Sequence, residues 1–325
     1  MPVNENIRVT YLITTRNRGM FLERTLDNVR EFIEPEDELI IIDGASTDGT
    51  AEIVARSRDV VTTFISEQDS GEGHAFNKGL FRARGRYIKP ITDDDYFYPD
   101  AMRRAIAEME ANPDVDAIQC GGEMWSIENG RPIFRGFRSL SADVAASAQS
   151  VFDVHCGLGI ILRRTALEKT GGVSNNYVSV DGDLTCRLVE CACVVRYLDV
   201  NLYRWYLHSH SGCVNRQKEL ESGYLLFEIR LGRWQSVVRR DPRVLAAILL
   251  GEGDWNKRGL CEWAWIAGAM SRSPLRGMSP FVVWLLGFGA ATKRKLKGLA
   301  PQESQQGQSD SSEALDGRQW TGRLA

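Results

Sequence analysis

Tyr87-Ile88-Lys89-Pro90-Ile91-Thr92-Asp93-Asp94-Asp95-Tyr96-Phe97-Tyr98-Pro99 runs from an apolar strand straight into three consecutive carboxylates, and then to a proline placed to open a helix. Three carboxylates at the end of a buried strand repel one another, so the cluster makes physical sense mainly around a cation or another positive partner. Side chains alternate along extended backbone, which puts Asp93 and Asp95 on one side and Asp94 on the other. Such a pair of hard oxygen ligands suits Mg²⁺ or Mn²⁺, and through the metal a diphosphate. The competing reading is a solvated acidic turn that caps the helix beginning near Pro99.

Outward from this stretch, the first half alternates strands with helices. Val9 to Ile13 reads as a strand, and Leu22, Leu26, Val29 and Ile33 share one helical face. Leu39-Ile40-Ile41-Ile42 is continuous and apolar, as in a parallel strand buried on both faces. The pattern then predicts a helix opened by Asp48-Gly49-Thr50, a strand over Val60 to Ile65, a helix over Gly71 to Arg84, and the Tyr87 to Ile91 strand. It continues with a helix over Pro99 to Ala111 and a strand over Val115 to Cys120. This rhythm predicts an α/β fold with a mostly parallel central sheet flanked by helices, whose ligands bind beyond the carboxyl ends of the strands. Farther on, a hairpin turns at Asn129-Gly130 and Leu158 to Leu162 is apolar. A helix over Arg164 to Thr170 stops at Gly171-Gly172, another covers Asp181 to Cys191, and Val194 to Leu207 is extended.

The chain of 325 residues, 43% hydrophobic and 26% charged, has ample material for a core. A net charge of −3 gives no sign of a nucleic-acid partner. The start lacks the basic and apolar segments of a signal peptide, and the seven scattered cysteines match no common zinc spacing. Reduced thiols and a cytoplasmic location are the expectation.

Two further blocks carry chemistry. Asp43-Gly44-Ala45-Ser46-Thr47-Asp48-Gly49-Thr50 follows the second strand, where small residues let a ligand approach the backbone, with Asp43 able to accept from a base or ribose. Ser66 to Gly79 is a polar, glycine-containing loop leading into Asn77-Lys78, where Asp69 is suited to a ligand or to its own loop and Lys78 to a phosphate or to solvent. Together with Val9 to Arg18 and the aspartate triplet, these blocks resemble glycosyltransferase family 2, the inverting enzymes of the GT-A fold. The resemblance is specific over about the first hundred residues and looser to about residue 215.

The resemblance implies a nucleotide diphosphate sugar donor, a divalent metal (Mn²⁺ or Mg²⁺), and a glycan or lipid-linked acceptor, as in bacterial surface polysaccharide synthesis. It implies that Thr15, Arg16, Asp43, Asp69, Lys78, Asp93 and Asp94 form the donor pocket. It places Asp95 on the metal, joined by a histidine of the His208-Ser209-His210 segment, with His210 the better fit and His208 the alternative. Val180-Asp181-Gly182-Asp183 resembles the family's acidic helix start, which makes Asp181 the general base and Asp183 its support; His155 is a candidate acceptor contact. Val180 stands where the family often has glutamate.

The expected organisation is a GT-A domain over 1–217, a helical C-terminal extension over 218–300 and a disordered tail over 301–325. The segment 281–297 joins an apolar block to a basic end, fit for the inner face of an anionic membrane or for a core helix with a charged last turn. The competing functions are a sugar-phosphate nucleotidyltransferase, for which Thr14 to Gly19 is a poor phosphate loop, and a non-catalytic nucleotide-sugar-binding module.

Overall fold

A computed structural model describes residues 7–138, 157–175, 179–216 and Phe227. The expectations for His155, for the 218–300 and 301–325 segments and for membrane contact through 281–297 fall outside these residues, Phe227 aside. The chain divides into two compact units after Tyr224, and all described residues but Phe227 belong to the first.

The apolar runs form the inner strands: β1 (Val9–Thr15), β2 (Glu38–Asp43), β3 (Thr63–Ser66) and β4 (Tyr87–Ile91). These four pair in parallel in the order β3-β2-β1-β4, with Thr15 level with Asp43 at the carboxyl ends. Alternation along β1 and β2 feeds two cores. Val9, Tyr11, Ile13, Leu39 and Ile41 join the first; Leu12, Ile40 and Ile42 join the second. Helices α1 (Gly19–Arg30), α2 (Thr50–Arg56) and α4 (Pro99–Ala111) contribute to the first core. Helices α3 (Glu72–Leu80), α5 (Arg164–Thr170) and α6 (Val180–Glu190) contribute to the second.

The other half of the sheet is mixed. β8 (Ile160–Arg163) lies antiparallel between β4 and β6 (Ala117–Glu128). β6 also pairs with the hairpin strand β7 (Arg131–Arg138) and, in parallel, with β9 (Val195–Leu207). The turn at Asn129-Gly130 has φ of 50° and 73°, the paired left-handed conformation that its sequence favours. β9 is antiparallel to the short β5 (Tyr96–Phe97), so residues 92–95 bridge the middle of the sheet to its edge. A short helix, α7 (Gly212–Asn215), follows β9.

Two expected elements are shorter than their sequence patterns. β3 begins at Thr63 because Val60 and Val61 N–H both donate to the Ser57 carbonyl, which holds a turn there. α3 ends at Leu80, and Arg84 turns its amide (2.7 Å) and guanidinium (2.7 Å) to the buried Glu38 carboxylate. Among the described residues no helix is long and apolar enough to cross a membrane. The five described cysteines are free thiols.

Buried polar side chains join these parts. Asn28 of α1 donates to the Phe97 carbonyl (2.9 Å) and accepts the Phe97 amide (2.7 Å), fixing the segment just after the aspartates. Lys89 of β4 is fully buried, donates to the Leu158 carbonyl at 2.5 Å and lies 4.8 Å from the Phe97 ring centre. Asn77 of α3 holds both the amide (2.8 Å) and the carbonyl (2.7 Å) of Val173 on the turn that leads to α6. Replacing Asn28 by Ala leaves two buried backbone groups of Phe97 without that partner. The expected cost is about 2–4 kcal/mol, read as a lower midpoint in denaturant unfolding with an unchanged m-value.

Candidate active site

The aspartate triplet closes one wall of a cleft of about 500 Å³, and Asp181 stands in its lining as well. Thr15, Arg16 and Arg18 from the β1–α1 turn, Asp69 and Glu72 before and at the start of α3, and Ser179, Trp205 and Arg216 complete much of the lining.

Asp93, Asp94 and Asp95 are 6%, 8% and 3% exposed. Thr15 Oγ1 donates to Asp93 Oδ2 at 2.7 Å, and Thr25 Oγ1 holds the Asp93 carbonyl at 2.9 Å. Arg18 enters between the first two aspartates. Its Nε lies 2.9 Å from Asp93 Oδ1 as an ion pair, and its Nη2 contacts Asp94 Oδ2. Asp95 is engaged elsewhere: Thr92 Oγ1 donates to Oδ2 (2.6 Å) and the Tyr206 amide to Oδ1 (2.8 Å).

Desolvation and the charge of Asp94 push the Asp93 carboxyl up to about 7, against Arg18 and Thr15. The same two causes hold Asp95 well above the usual carboxylate range, against Thr92 and the Tyr206 amide. Arg18 is desolvated, which alone lowers its pKa, yet the three aspartates raise it. One guanidinium therefore leaves the cluster under-compensated, and the cluster has room for more positive charge.

The two histidines differ. The His210 amide donates to His208 Nδ1 at 3.1 Å, which fixes the His208 proton on Nε2, and Nε2 in turn lies 3.1 Å from Asp94 Oδ2. His208 stacks on Phe21 at 4.5 Å between ring centres. The His210 ring is turned to Ser209 and to the edge of Phe21, while its carbonyl accepts from Arg18 Nη1 at 3.0 Å. His208, the alternative of the pair, is the one beside the carboxylates.

The expected donor residues divide. Asp43 is 1% exposed; it accepts from the Ser46 amide (3.0 Å) and Ser66 Oγ (2.5 Å), binding its own loop. Asp69 reaches the cleft, and a side chain at Gly44 would come within 2.5 Å of its Oδ2 and 3.0 Å of Arg16, so glycine there admits both. Lys78 ties α3 to the preceding loop through Glu67 (3.0 Å) and the Gln68 carbonyl (3.0 Å).

Asp181 occupies the first turn of α6, where Ser179 caps the helix by accepting the Gly182 amide at 3.1 Å. Ser179 Oγ donates to Asp181 Oδ1 (2.5 Å), and the Gly157 amide lies 3.3 Å from Oδ2. Asp183 is fully buried, accepting from the Ser174 amide (2.7 Å) and pairing with Arg187 Nε (2.7 Å), so it anchors the helix.

Arg18 and Glu72 were not singled out from the sequence. Arg18 lay inside the recognised first block, directly before a helix whose amide ends attract anions; Glu72 carried no signal. Glu72 is exposed and lines the cleft. Partial desolvation in the cleft and the charge of Asp181 push its carboxyl upward, with Arg216 and Arg18 opposing.

Residues 10–171 match the family described as glycosyl transferase family 2, and the chain belongs to it. Among curated relatives, the succinoglycan biosynthesis protein ExoO of Rhizobium meliloti (strain 1021) is 30% identical over 104 residues, 32% of this chain and 30% of that protein. Poly-beta-1,6-N-acetyl-D-glucosamine synthase of Staphylococcus epidermidis is 29% identical over 112 residues, 34% of this chain and 27% of that protein. The match thus spans about a third of the length of these curated relatives. Among solved structures, TarS 1–349 of S. aureus superposes with a TM-score of 0.54 at 19% identity, covering 83% of this chain and 82% of that one. The same protein solved with UDP-GlcNAc gives a TM-score of 0.51 at 17% identity, covering 82% of this chain and 80% of that one. These neighbours establish the GT-A fold.

Proposed function

We propose that this family 2 member transfers a sugar from a nucleoside diphosphate donor, with inversion, to a hydroxyl of a glycan or lipid-linked acceptor, aided by a divalent cation. The observation that carries the reading is that Asp93 to Asp95 and Asp181 line one cleft at the carboxyl ends of the strands. The relatives named for succinoglycan and poly-N-acetylglucosamine synthesis favour a polysaccharide acceptor. TarS with UDP-GlcNAc makes a uridine diphosphate sugar the first donor to test.

The donor set suits Mg²⁺ or Mn²⁺: hard carboxylate oxygens of Asp93, Asp94 and Asp95 with one imidazole, His208, beside them. Among the described residues no three such side chains converge as a ready cage, and Arg18 contacts both Asp93 and Asp94. A bound cation supplies Lewis-acid stabilisation to the departing diphosphate. Arg16 and Asp69 hold the nucleoside side of the donor, and Asp43 and Lys78 brace the loops behind it. Asp181 takes the proton of the acceptor hydroxyl as it attacks the anomeric carbon; Ser179 and the Gly157 amide hold the carboxylate in position. Asp183 keeps α6 in place.

Asp181→Asn is expected to bind the donor as the parent does and to lose about 10²–10⁴-fold in turnover. Unchanged turnover would remove the base assignment, and with it the catalytic reading of this wall. Uridine or guanosine diphosphate sugars with Mn²⁺ should raise the melting temperature, since a ligand at 100 times its Kd adds about 2.7 kcal/mol. Chelation with EDTA should abolish both that shift and transfer.

A further inference from the structure

Arg18 makes more contacts than a cleft-lining cation needs. It pairs with Asp93 and Asp94 of the β4 end, and its Nη1 holds the His210 carbonyl, 192 residues along the chain, at 3.0 Å. Its guanidinium also lies 5.3 Å from the centre of the Phe21 ring, on which His208 stacks. The backbone aims it there: Asn17 before it is left-handed (φ 52°) and is held by Ser46 Oγ (2.7 Å) and the Thr47 amide (2.8 Å).

The pinned turn also sets the state of His208. While the His210 amide donates to His208 Nδ1, the ring keeps its proton on Nε2, the nitrogen facing Asp94. In that tautomer Nε2 is a donor and cannot bind a metal. Freeing the His210 backbone is what allows the ring proton to move to Nδ1.

We infer that Arg18 is the resident counter-cation of the aspartate cluster and the pin of the His208–Ser211 turn, and that it gives up both contacts when a divalent cation binds. The inference rests on the cation-assisted reading above. It makes Arg18 a positioning residue that competes with the cation for Asp93 and Asp94, and whose release unlocks the turn and the imidazole. Once released, the guanidinium remains in the cleft, next to where a donor diphosphate must lie, and carries the charge and geometry to bind it.

The test uses the full chain as wild type, Arg18→Gln and Arg18→Lys, with Mn²⁺ alone as the probe, followed by titration calorimetry and hydrogen exchange. Arg18→Gln is expected to bind Mn²⁺ about tenfold more tightly than wild type, since a competing unit charge is gone, with Arg18→Lys between them. The amides of His208, His210 and Ser211 should exchange faster in Arg18→Gln, and Mn²⁺ should bring wild type to the same rate. Because Arg18→Lys keeps the charge, it serves as the folded control if the glutamine variant unfolds. Mn²⁺ affinity that is equal or weaker without Arg18, or exchange at this turn that ignores both substitution and Mn²⁺, overturns the inference. Absence of Mn²⁺ binding in every protein overturns it too. In that case sugar transfer by wild type in EDTA shows whether the transferase reading stands alone.

Discussion

Like charges crowded at one strand end set the terms for everything around them. Asp93, Asp94 and Asp95 are each more than nine-tenths buried, where mutual repulsion and lost hydration both favour protonation. The surrounding structure can be read as what makes that crowding tolerable: hydroxyls of Thr15, Thr25 and Thr92, the Tyr206 amide, and one guanidinium. These partners come from β1, the start and body of α1, the residue after β4, and β9, so the strands that meet at the cleft meet on the aspartates. One guanidinium thus faces three carboxylates.

The Asp181 part of the cleft is built on different chemistry. Asp181 sits on a capped helix whose position is set by buried hydrogen bonds: Ser179 to Gly182, Asp183 to Ser174 and Arg187, and Asn77 to Val173. Its carboxylate stays oriented through Ser179 and Gly157. The first turn of a helix gives that carboxylate a fixed direction and access to the cleft.

Much of the fold was legible because the inner strands are continuous apolar runs and the helices keep one apolar face. α4 and α5 fall on their sequence limits, and the hairpin turns at Asn129-Gly130. What could not be read was the pairing of distant strands. Nothing in Ile160 to Arg163 announces that it runs antiparallel between β4 and β6, since an apolar run looks the same in either direction. The site divided in the same way. Carboxylates clustered in sequence stood out, as did Asp181 once the resemblance was seen. Arg18 with His210 and His208 with Asp94 are contacts across 192 and 114 residues, and no local pattern encodes them. Asp43 and Lys78 have side chains that suit a ligand, and only the structure reveals that their own loops already engage them.

The buried Lys89 side chain links two parts of the cleft. It reaches from the strand that carries the aspartates to the Leu158 carbonyl, and the neighbouring Gly157 amide touches Asp181. The strand that leads into the aspartates and the segment that touches Asp181 are thereby tied through the core as well as through the β4–β8 ladder. Because a close-packed interior transmits displacement rather than absorbing it, a shift of the Gly157–Leu158 segment would be felt both at the end of β4 and at the Asp181 carboxylate.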